Sequence, residues 1–482
     1  MNILINLQSF DDNDVYEEII KLSCNNKINF IFLSSSLMHS LDEELYCLYT
    51  SINKVTILKT NNLFELSNMN NNIFDLSKEY LETEKYLYTD ILSSYRWLPI
   101  SKRKDNDFLS FSMVFYYDVY NYWNTFFKKN MIHFVIQLNE EHSSLDSILI
   151  RVAKEYKIKN IITSRIVGAF TSGTEEYHAL YDNNSNEYMK IIKTSSDVGV
   201  KLNENSNFTV FSNSYKKNLS SKISLIFNKF YSTLFDNKLV VKVKIKRLYT
   251  ALLNKIITSI QLRKQYFYIK ELNQYYHKLA IDKVNLNLNY IYYCLHFDPE
   301  ASTLPKDNAH ANQLLNLRIL ASSLPKGWKI YIKEHPHQLS YNIYYDYLLN
   351  QLHSVDNFRS KNFYNYMHSI SNVDLVGLDN NHQSLIQNAK FIVSNTGTVF
   401  REATYLKKHC ITFSQNSFYA MLKNVNVVNN VDTCREVIDT YKDTKVEDIE
   451  VDEIFDEYAI TINKINKVSS IILRYISQSV LK

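Results

Sequence analysis

Between Asn287 and Phe413, short apolar runs alternate with stretches of helical pattern, and the connections between them are short. Strands that alternate with helices in this way pair in parallel, because each helix carries the chain back over the sheet. The spacing predicts strand 290–296, helix 310–323, strand 329–333, a helix near 341–352, strand 373–376, helix 383–389, strand 391–394, helix 398–406 and strand 410–413. Open sheets of this kind bind ligands beyond the carboxyl ends of their strands. The residues that directly follow each strand are therefore the ones to read for chemistry.

The N-terminal half repeats the pattern. Strand 3–7, a helix from Asp14 to Leu22, strand 28–33 and strand 55–58 lead into an aromatic-rich, helical stretch at 77–129. Strand 133–138, helix 144–156 and strand 160–163 complete it. A chain of 482 residues exceeds one compact core and suits two. The expected architecture is α/β, with two Rossmann-like domains facing a cleft. Residues 1–204 form the first domain, 205–285 a basic, mostly helical arm or insertion, and 286–450 the second domain. Residues 451–482 form a C-terminal helix packing back across the boundary.

The chain holds only six glycines and five prolines. Asn, Lys, Ile and Tyr are abundant instead, as in an AT-rich coding sequence, so these types carry little functional weight. A chain that avoids Gly and Pro keeps them where backbone geometry demands them. Pro299, Pro305, Pro325 and Pro336 all fall within 299–336. The five cysteines (Cys24, Cys47, Cys294, Cys410, Cys434) are odd in number and never form a C-x-x-C pair, which reads as free thiols in a reducing compartment. The opening MNILINLQSFDD lacks a signal-peptide pattern, and no run approaches 18 apolar residues, so a cytoplasmic location is expected.

Charge is unevenly placed. Between 206 and 270, thirteen Lys and Arg residues stand against one acid, Asp236, whereas 432–457 is acidic. The basic stretch reads either as a solvated helical face or as a peripheral contact with an anionic membrane, where each basic residue contributes about 1 kcal/mol. It carries no RNA-binding signature, and nucleic acid is not an expected partner.

Three strand ends carry chemistry. In Leu295-His296-Phe297-Asp298-Pro299-Glu300, Asp298 and Glu300 offer a cleft carboxylate, as nucleophile or general acid/base; the alternative is a solvated turn. In Lys333-Glu334-His335-Pro336-His337, Pro336 ends the strand, His335 can donate to a phosphate oxygen and Lys333 adds charge. His335 and His337 lack the further ligands of a recognisable metal site. The pairs Asp12/Asp14 and Asp105/Asp107 match a D-x-D pattern only superficially, and no metal is assigned. In Ser394-Asn395-Thr396-Gly397-Thr398, a strand turns into a helix carrying Glu402. Free N–H groups there, with the Thr396 and Thr398 hydroxyls, would make an anion site, and Glu402 could accept ribose hydroxyls. The alternative is a Thr N-cap with Glu402 closing a capping box.

With LHFDPEAST, LPKGWKIYIKEHP, NVDLVG and AKFIVSNTGTVFREATYLKKHCITF in order, residues 290–413 resemble the capsule polysaccharide biosynthesis proteins. These are GT-B relatives of the bacterial retaining Kdo transferases, with members that transfer other ulosonic acids. The likeness extends more weakly to Glu141-His142-Ser143-Ser144-Leu145-Asp146, similar to a His-x-x-x-Asp element. It implies a GT-B fold whose N-terminal domain takes the glycan or glycolipid acceptor and whose C-terminal domain takes a CMP-activated sugar acid. The donor is a substrate, and no separate cofactor is implied. The resemblance puts the CMP phosphate at His335, the nucleotide at the 394–398 helix start and its ribose near Glu402. Catalysis falls to the acidic turn, with Glu300 favoured over Asp298, which stands where the family often has Gln. His142 and Arg165 become candidate substrate contacts, Arg165 for the sugar carboxylate. The expected activity is glycosyl transfer in surface polysaccharide synthesis. A CDP-polyol phosphotransferase of teichoic-acid type and a non-catalytic capsule assembly subunit are the alternatives.

Overall fold

The computed structural model describes residues 2–6, 29–35, 55–60, 108–137, 144–166, 175–191, 266–298, 303–304, 306–339, 345–346, 351–352, 358–447 and 451–463. The helix expected from Asp14, the aromatic stretch before 108, both D-x-D pairs, His142, Glu300, the basic arm up to 265 and the chain beyond 463 lie outside the described residues.

The first sheet is built from β1 (Asn2–Asn6), β2 (Asn29–Ser35), β3 (Val55–Thr60), β4 (Phe134–Gln137) and β5 (Lys159–Arg165), parallel in the order β3-β2-β1-β4-β5. β6 (Glu175–Asp182) continues it antiparallel, with the short β7 (Glu187–Tyr188) hairpinned onto it. Helix α1 (Phe108–Lys129) covers one face because Tyr116, Val119, Tyr120, Trp123 and Phe127 recur at helical spacing and bury together. Helix α2 (Ser144–Glu155) adds Ile148, Leu149, Val152 and Ala153 to the same core.

The second sheet contains β8 (Tyr290–Cys294), β9 (Lys329–Lys333), β12 (Val373–Leu375), β13 (Phe391–Val393), β14 (His409–Thr412) and β15 (Val425–Val427). All pair in parallel in the order β12-β9-β8-β13-β14-β15. Counted in chain order this is 3-2-1-4-5-6, the Rossmann arrangement, whose switch point lies between the first and fourth strands, β8 and β13. β8 is buried on both faces, as its unbroken apolar run requires. Ile291 and Tyr293 join Ile330, Ile332, Phe391 and Val393 in the main core. On the other face, Tyr290 donates its hydroxyl to the Leu385 carbonyl at 2.7 Å.

Helices α3 (266–279), α4 (Gln313–Ser323), α5 (Lys361–His368), α6 (His382–Asn388), α7 (Val399–Tyr405) and α8 (Val431–Tyr441) surround this sheet. Short polar residues start four of them. Asn312, Ser360, Asn381 and Asn430 each accept from backbone N–H groups one turn in, and Asn430 forms a full capping box with Thr433.

Two successive Rossmann-like sheets are the expected α/β fold class. Four local expectations are corrected. The helix near 341–352 is replaced at its described residues by an antiparallel pair, β10 (Tyr345–Asp346) and β11 (Gln351–Leu352). The tyrosine-rich sequence of that stretch favours extended chain. The C-terminal helix stops early. α9 (Val451–Tyr458) gives way to β16 (Ala459–Asn463), whose Ala-Ile-Thr-Ile-Asn pattern pairs antiparallel with β6. The end of the supposed basic arm belongs to the second core: Leu272 and Tyr276 of α3 are buried there, and Ile281 bridges Val376. Helices α5 and α8 and strands β6, β7 and β15 were not expected at all.

The two sheets meet along β6 and β7. Tyr181 donates to Asn416 Oδ1 at 2.6 Å, and Tyr188 to the Asn416 carbonyl at 2.8 Å. Phe455 of α9 stands edge-on to both Tyr177 and Phe418. No helix among the described residues is long and apolar enough to cross a membrane.

Candidate functional site

The carboxyl ends of β8 and β9 are locked together by a buried cation that sequence reading missed. Arg359, just ahead of α5, is 1% exposed. Its Nη1 donates to Asp298 Oδ2 at 2.8 Å, and its Nε to Glu334 Oε2 at 2.7 Å. Further bonds reach the His296 and Phe358 carbonyls, and the guanidinium lies over the Phe363 ring. Glu334 is completed by the Tyr364 hydroxyl at 2.7 Å and the His335 N–H at 2.8 Å. A buried charge persists only when paired and hydrogen-bonded, and all three ionised groups here meet that condition.

Asp298 is therefore not a free acid at a cleft mouth. It is 5% exposed, holds Arg359, accepts from Gln313 Nε2 and has His296 Nε2 at 3.2 Å from its Oδ1. Burial alone would push its carboxyl up. His296 and Arg359 outweigh that and hold it down to about 2. A carboxylate whose Oδ2 is held by Arg359 and Gln313 anchors a loop rather than standing free as the expected catalytic acid. Asp298 Oδ1 and both ring nitrogens of His296 are buried without a hydrogen bond among the described residues, so the His296–Asp298 contact is one of charge and proximity.

His335 sits on the far side of this ion network. Its carbonyl accepts from Gln338 N–H at 2.9 Å, closing a turn with Pro336 at the second position, where a fixed φ suits. Its Nδ1 accepts from the His337 N–H at 3.2 Å. In a neutral ring, that leaves the proton on Nε2, as a donor. Burial, then His337, His296 and Arg359, push its pKa down to about 3, so the ring is neutral at physiological pH. Lys333, by contrast, is drawn to the β12–α6 loop, where Nζ donates to the Asn380 carbonyl at 2.6 Å. Half-burial lowers its pKa.

The loop after β13 lies across the switch point. Ser394 donates its hydroxyl to the Thr396 carbonyl at 3.0 Å. Gly397 has φ +118°, a conformation that L side chains rarely adopt, which explains the glycine. Thr398 makes no side-chain cap hydrogen bond, and Glu402 pairs with His382 Nε2 at 3.3 Å, so the capping-box alternative is not what forms. His382 Nδ1 in turn meets the Tyr292 hydroxyl at 2.8 Å. Helix α7 is only seven residues long.

The structure thus brings Asp298, Glu334, His335 and Pro336 into one unit at β8 and β9. Ser394 through Thr398 follow β13, next to β8 and two strands from β9, with Glu402 and Lys333 approaching from the α6 side. At about 4.8 Å per strand, β9 and β13 stand roughly 10 Å apart across β8. Arg165 is the last residue of β5, in the other sheet, opposite His178. Arg359, Gln313 and Gln338 left no sequence signal, since each acts through contacts with residues distant in the chain.

No protein-family model and no curated protein matches the chain. Among solved structures, the chain is similar to UDP-GlcNAc 2-epimerase from Methanocaldococcus jannaschii, at 11% identity and TM-score 0.25, covering 99% of this chain and 100% of that one. The Neisseria meningitidis UDP-GlcNAc 2-epimerase bound to UDP-GlcNAc gives 12%, 0.23, 99% and 100% in the same measures. CalG4, the calicheamicin glycosyltransferase, gives 10%, 0.22, 99% and 99%. Likenesses this remote carry no weight for what the chain binds or does.

Proposed function

We propose that this chain is a glycosyltransferase of surface polysaccharide synthesis that holds a nucleotide-activated sugar at the carboxyl edge of its second sheet. The observation that carries the reading is His335. It is a half-buried, neutral imidazole whose Nε2–H is set as a donor by the turn at Pro336, and the Arg359 ion network ties that turn to the β8 loop. A fixed, partly dehydrated donor is what a departing phosphate needs, because charge accumulates on its oxygens as the glycosidic C–O bond breaks.

The finer parts of the reading rest on the family resemblance. The donor is a CMP-activated ulosonic acid, Kdo or a nonulosonic acid, and the acceptor a glycan or glycolipid. Glu300 supplies the catalytic carboxylate now that Asp298 is committed elsewhere. The Ser394–Thr398 segment and Glu402 contact the nucleotide, and His142 and Arg165 contact the substrate from the first domain. The basic stretch at 205–270 makes a peripheral membrane contact at the cytoplasmic face.

The test is a thermal-shift screen with CMP, CDP, UMP and UDP, followed by assay of CMP release from CMP-Kdo, CMP-N-acetylneuraminate and CDP-glycerol. Stabilisation by cytidine nucleotides and CMP release from a sugar-acid donor are expected. CMP release from CDP-glycerol alone would replace glycosyl transfer with polyol-phosphate transfer. Absence of any nucleotide effect would leave the assembly-subunit reading.

A further inference from the structure

At the switch point itself, a second buried network joins the loops that follow β8, β13 and β14. Asp307, Asn316, Asn395 and Ser414 are all buried, and none belongs to the Arg359 cluster. Their hydrogen bonds run in one direction only. Asn395 Nδ2 lies 2.8 Å from Asp307 Oδ2 and 2.7 Å from the His310 carbonyl. An amide nitrogen between a carboxylate and a carbonyl is fixed as NH2, so Asn395 presents its oxygen to the next member. That member is Asn316, whose Nδ2 donates to Asn395 Oδ1 at 3.0 Å and to the His310 carbonyl at 2.8 Å. Both Asn316 hydrogens are then used, and its Oδ1 can only accept. What it accepts is His310 Nδ1, at 2.9 Å. The Ser414 hydroxyl holds the other oxygen of Asp307 at the far end.

In a neutral ring, the chain Asp307–Asn395–Asn316 therefore places the His310 proton on Nδ1 and leaves Nε2 with its lone pair bare. The ring is stacked on Phe413, at 5.4 Å and 27°, and is half-buried at the carboxyl edge beside the switch point. Two histidines on one edge thus carry opposite tautomers. His335 offers a hydrogen to an oxygen anion, whereas His310 offers a lone pair, which a phosphate cannot use. We propose that His310 is a ligand-contacting residue that accepts a hydrogen bond from a hydroxyl of the sugar on the nucleotide donor. The proposal rests on the second sheet being the nucleotide-sugar site. Three buried side chains, from the β8 loop, α4 and the β13 loop, hold this tautomer, more than a histidine kept only for packing requires.

The test is imidazole 15N NMR on the full chain, with His310 assigned through His310→Gln. His310 is expected in the Nδ1–H form and His335 in the Nε2–H form, and Asn316→Leu should release His310 from its tautomer. Titration then uses CMP, UMP, CMP-N-acetylneuraminate and UDP-GlcNAc. The His310 Nε2 resonance should move with a sugar nucleotide and stay with the bare nucleotide. His310→Ala should weaken the sugar nucleotide about tenfold and the bare nucleotide less than about twofold. His310 found as Nε2–H overturns the proposal, whatever Asn316→Leu does to folding. So does a sugar nucleotide that shifts His335 and leaves His310 still. A correct tautomer with neither ring responding to any of the four probes overturns the nucleotide-sugar site, and the ligand assigned to His310 falls with it.

Discussion

Arg359→Met removes the guanidinium that bridges two buried carboxylates while keeping a side chain of similar length. Glu334 is 0% and Asp298 7% exposed at the side chain, so water cannot replace the lost guanidinium. Breaking a buried ion pair by deleting one partner costs about 3–5 kcal/mol. The surviving bonds from Tyr364 and Gln313 soften the loss without supplying charge. Acidification separates this explanation from simple misfit. In the native chain Asp298 is held at about 2 against an ordinary 3.8. A depression of that size is worth about 2–3 kcal/mol, fully present above pH 4 and lost as pH falls towards 2. Without Arg359 the folded-state pKa moves up from that value, because only His296 is left to oppose burial. The variant must then gain stability relative to the native chain as pH falls from 4 towards 2, because it has less pKa depression to lose. Urea unfolding would be read through Trp328, which lies in the second core, with Trp97 and Trp123 replaced by Phe. A deficit below about 1 kcal/mol at pH 7, or one that widens on acidification, refutes the reasoning.

Three further outcomes follow from the same geometry. His335→Ala should weaken nucleotide binding by about 10- to 100-fold, the worth of a hydrogen bond to a charged group, measured by calorimetry with the fold checked by circular dichroism. Because the His335 pKa is pushed down to about 3, the ring stays neutral from pH 5 to 8, and the native chain and His335→Gln should show parallel affinity profiles there. Affinity that rises for the native chain alone below pH 6.5 would contradict this. Gly397→Ala meets no atom within 4 Å, so its cost comes from φ +118° alone. About 1–2 kcal/mol is expected, visible as a lowered melting temperature and as weaker nucleotide binding through a shifted 394–398 loop.

Strands were legible in the sequence because a strand covered on both faces has to be apolar throughout, and Tyr290–Cys294 and Phe391–Val393 fall within three residues of their expected ends. Elements whose pattern serves two structures were not. The stretch Lys-Asn-Phe-Tyr-Asn-Tyr-Met-His forms α5 by burying only Tyr364 and Met367, an i, i+3 pair too sparse to stand out. Val451–Leu481 read as one helix, since Ala-Ile-Thr-Ile-Asn fits a helix until β6 offers it an open edge. At the site, the loops were legible and their partners were not. Asp298 looked like a free acid because the arginine that claims it lies 61 residues on. Nothing between the two residues marks the pairing.

The same distance explains how a glycine-poor chain builds a Rossmann edge. The loop after the first strand of such sheets commonly uses glycines to let backbone amides approach a phosphate. Here the segment from Leu295 to Leu304 contains none. Its backbone is instead clamped by side chains. Gln313 accepts from the His296 N–H at 3.0 Å and donates back to the His296 carbonyl at 3.2 Å. Gln338 does the same for Asp298, at 2.8 and 2.9 Å. Each amide imitates a strand partner, and Arg359 fills the gap between them. The Leu295, His296 and Asp298 amides are thereby taken up inside the protein. In the proposed function the phosphate contacts belong to the second and fourth strand ends, where His335 carries a ring donor and Gly397 makes the backbone turn that glycine adopts easily.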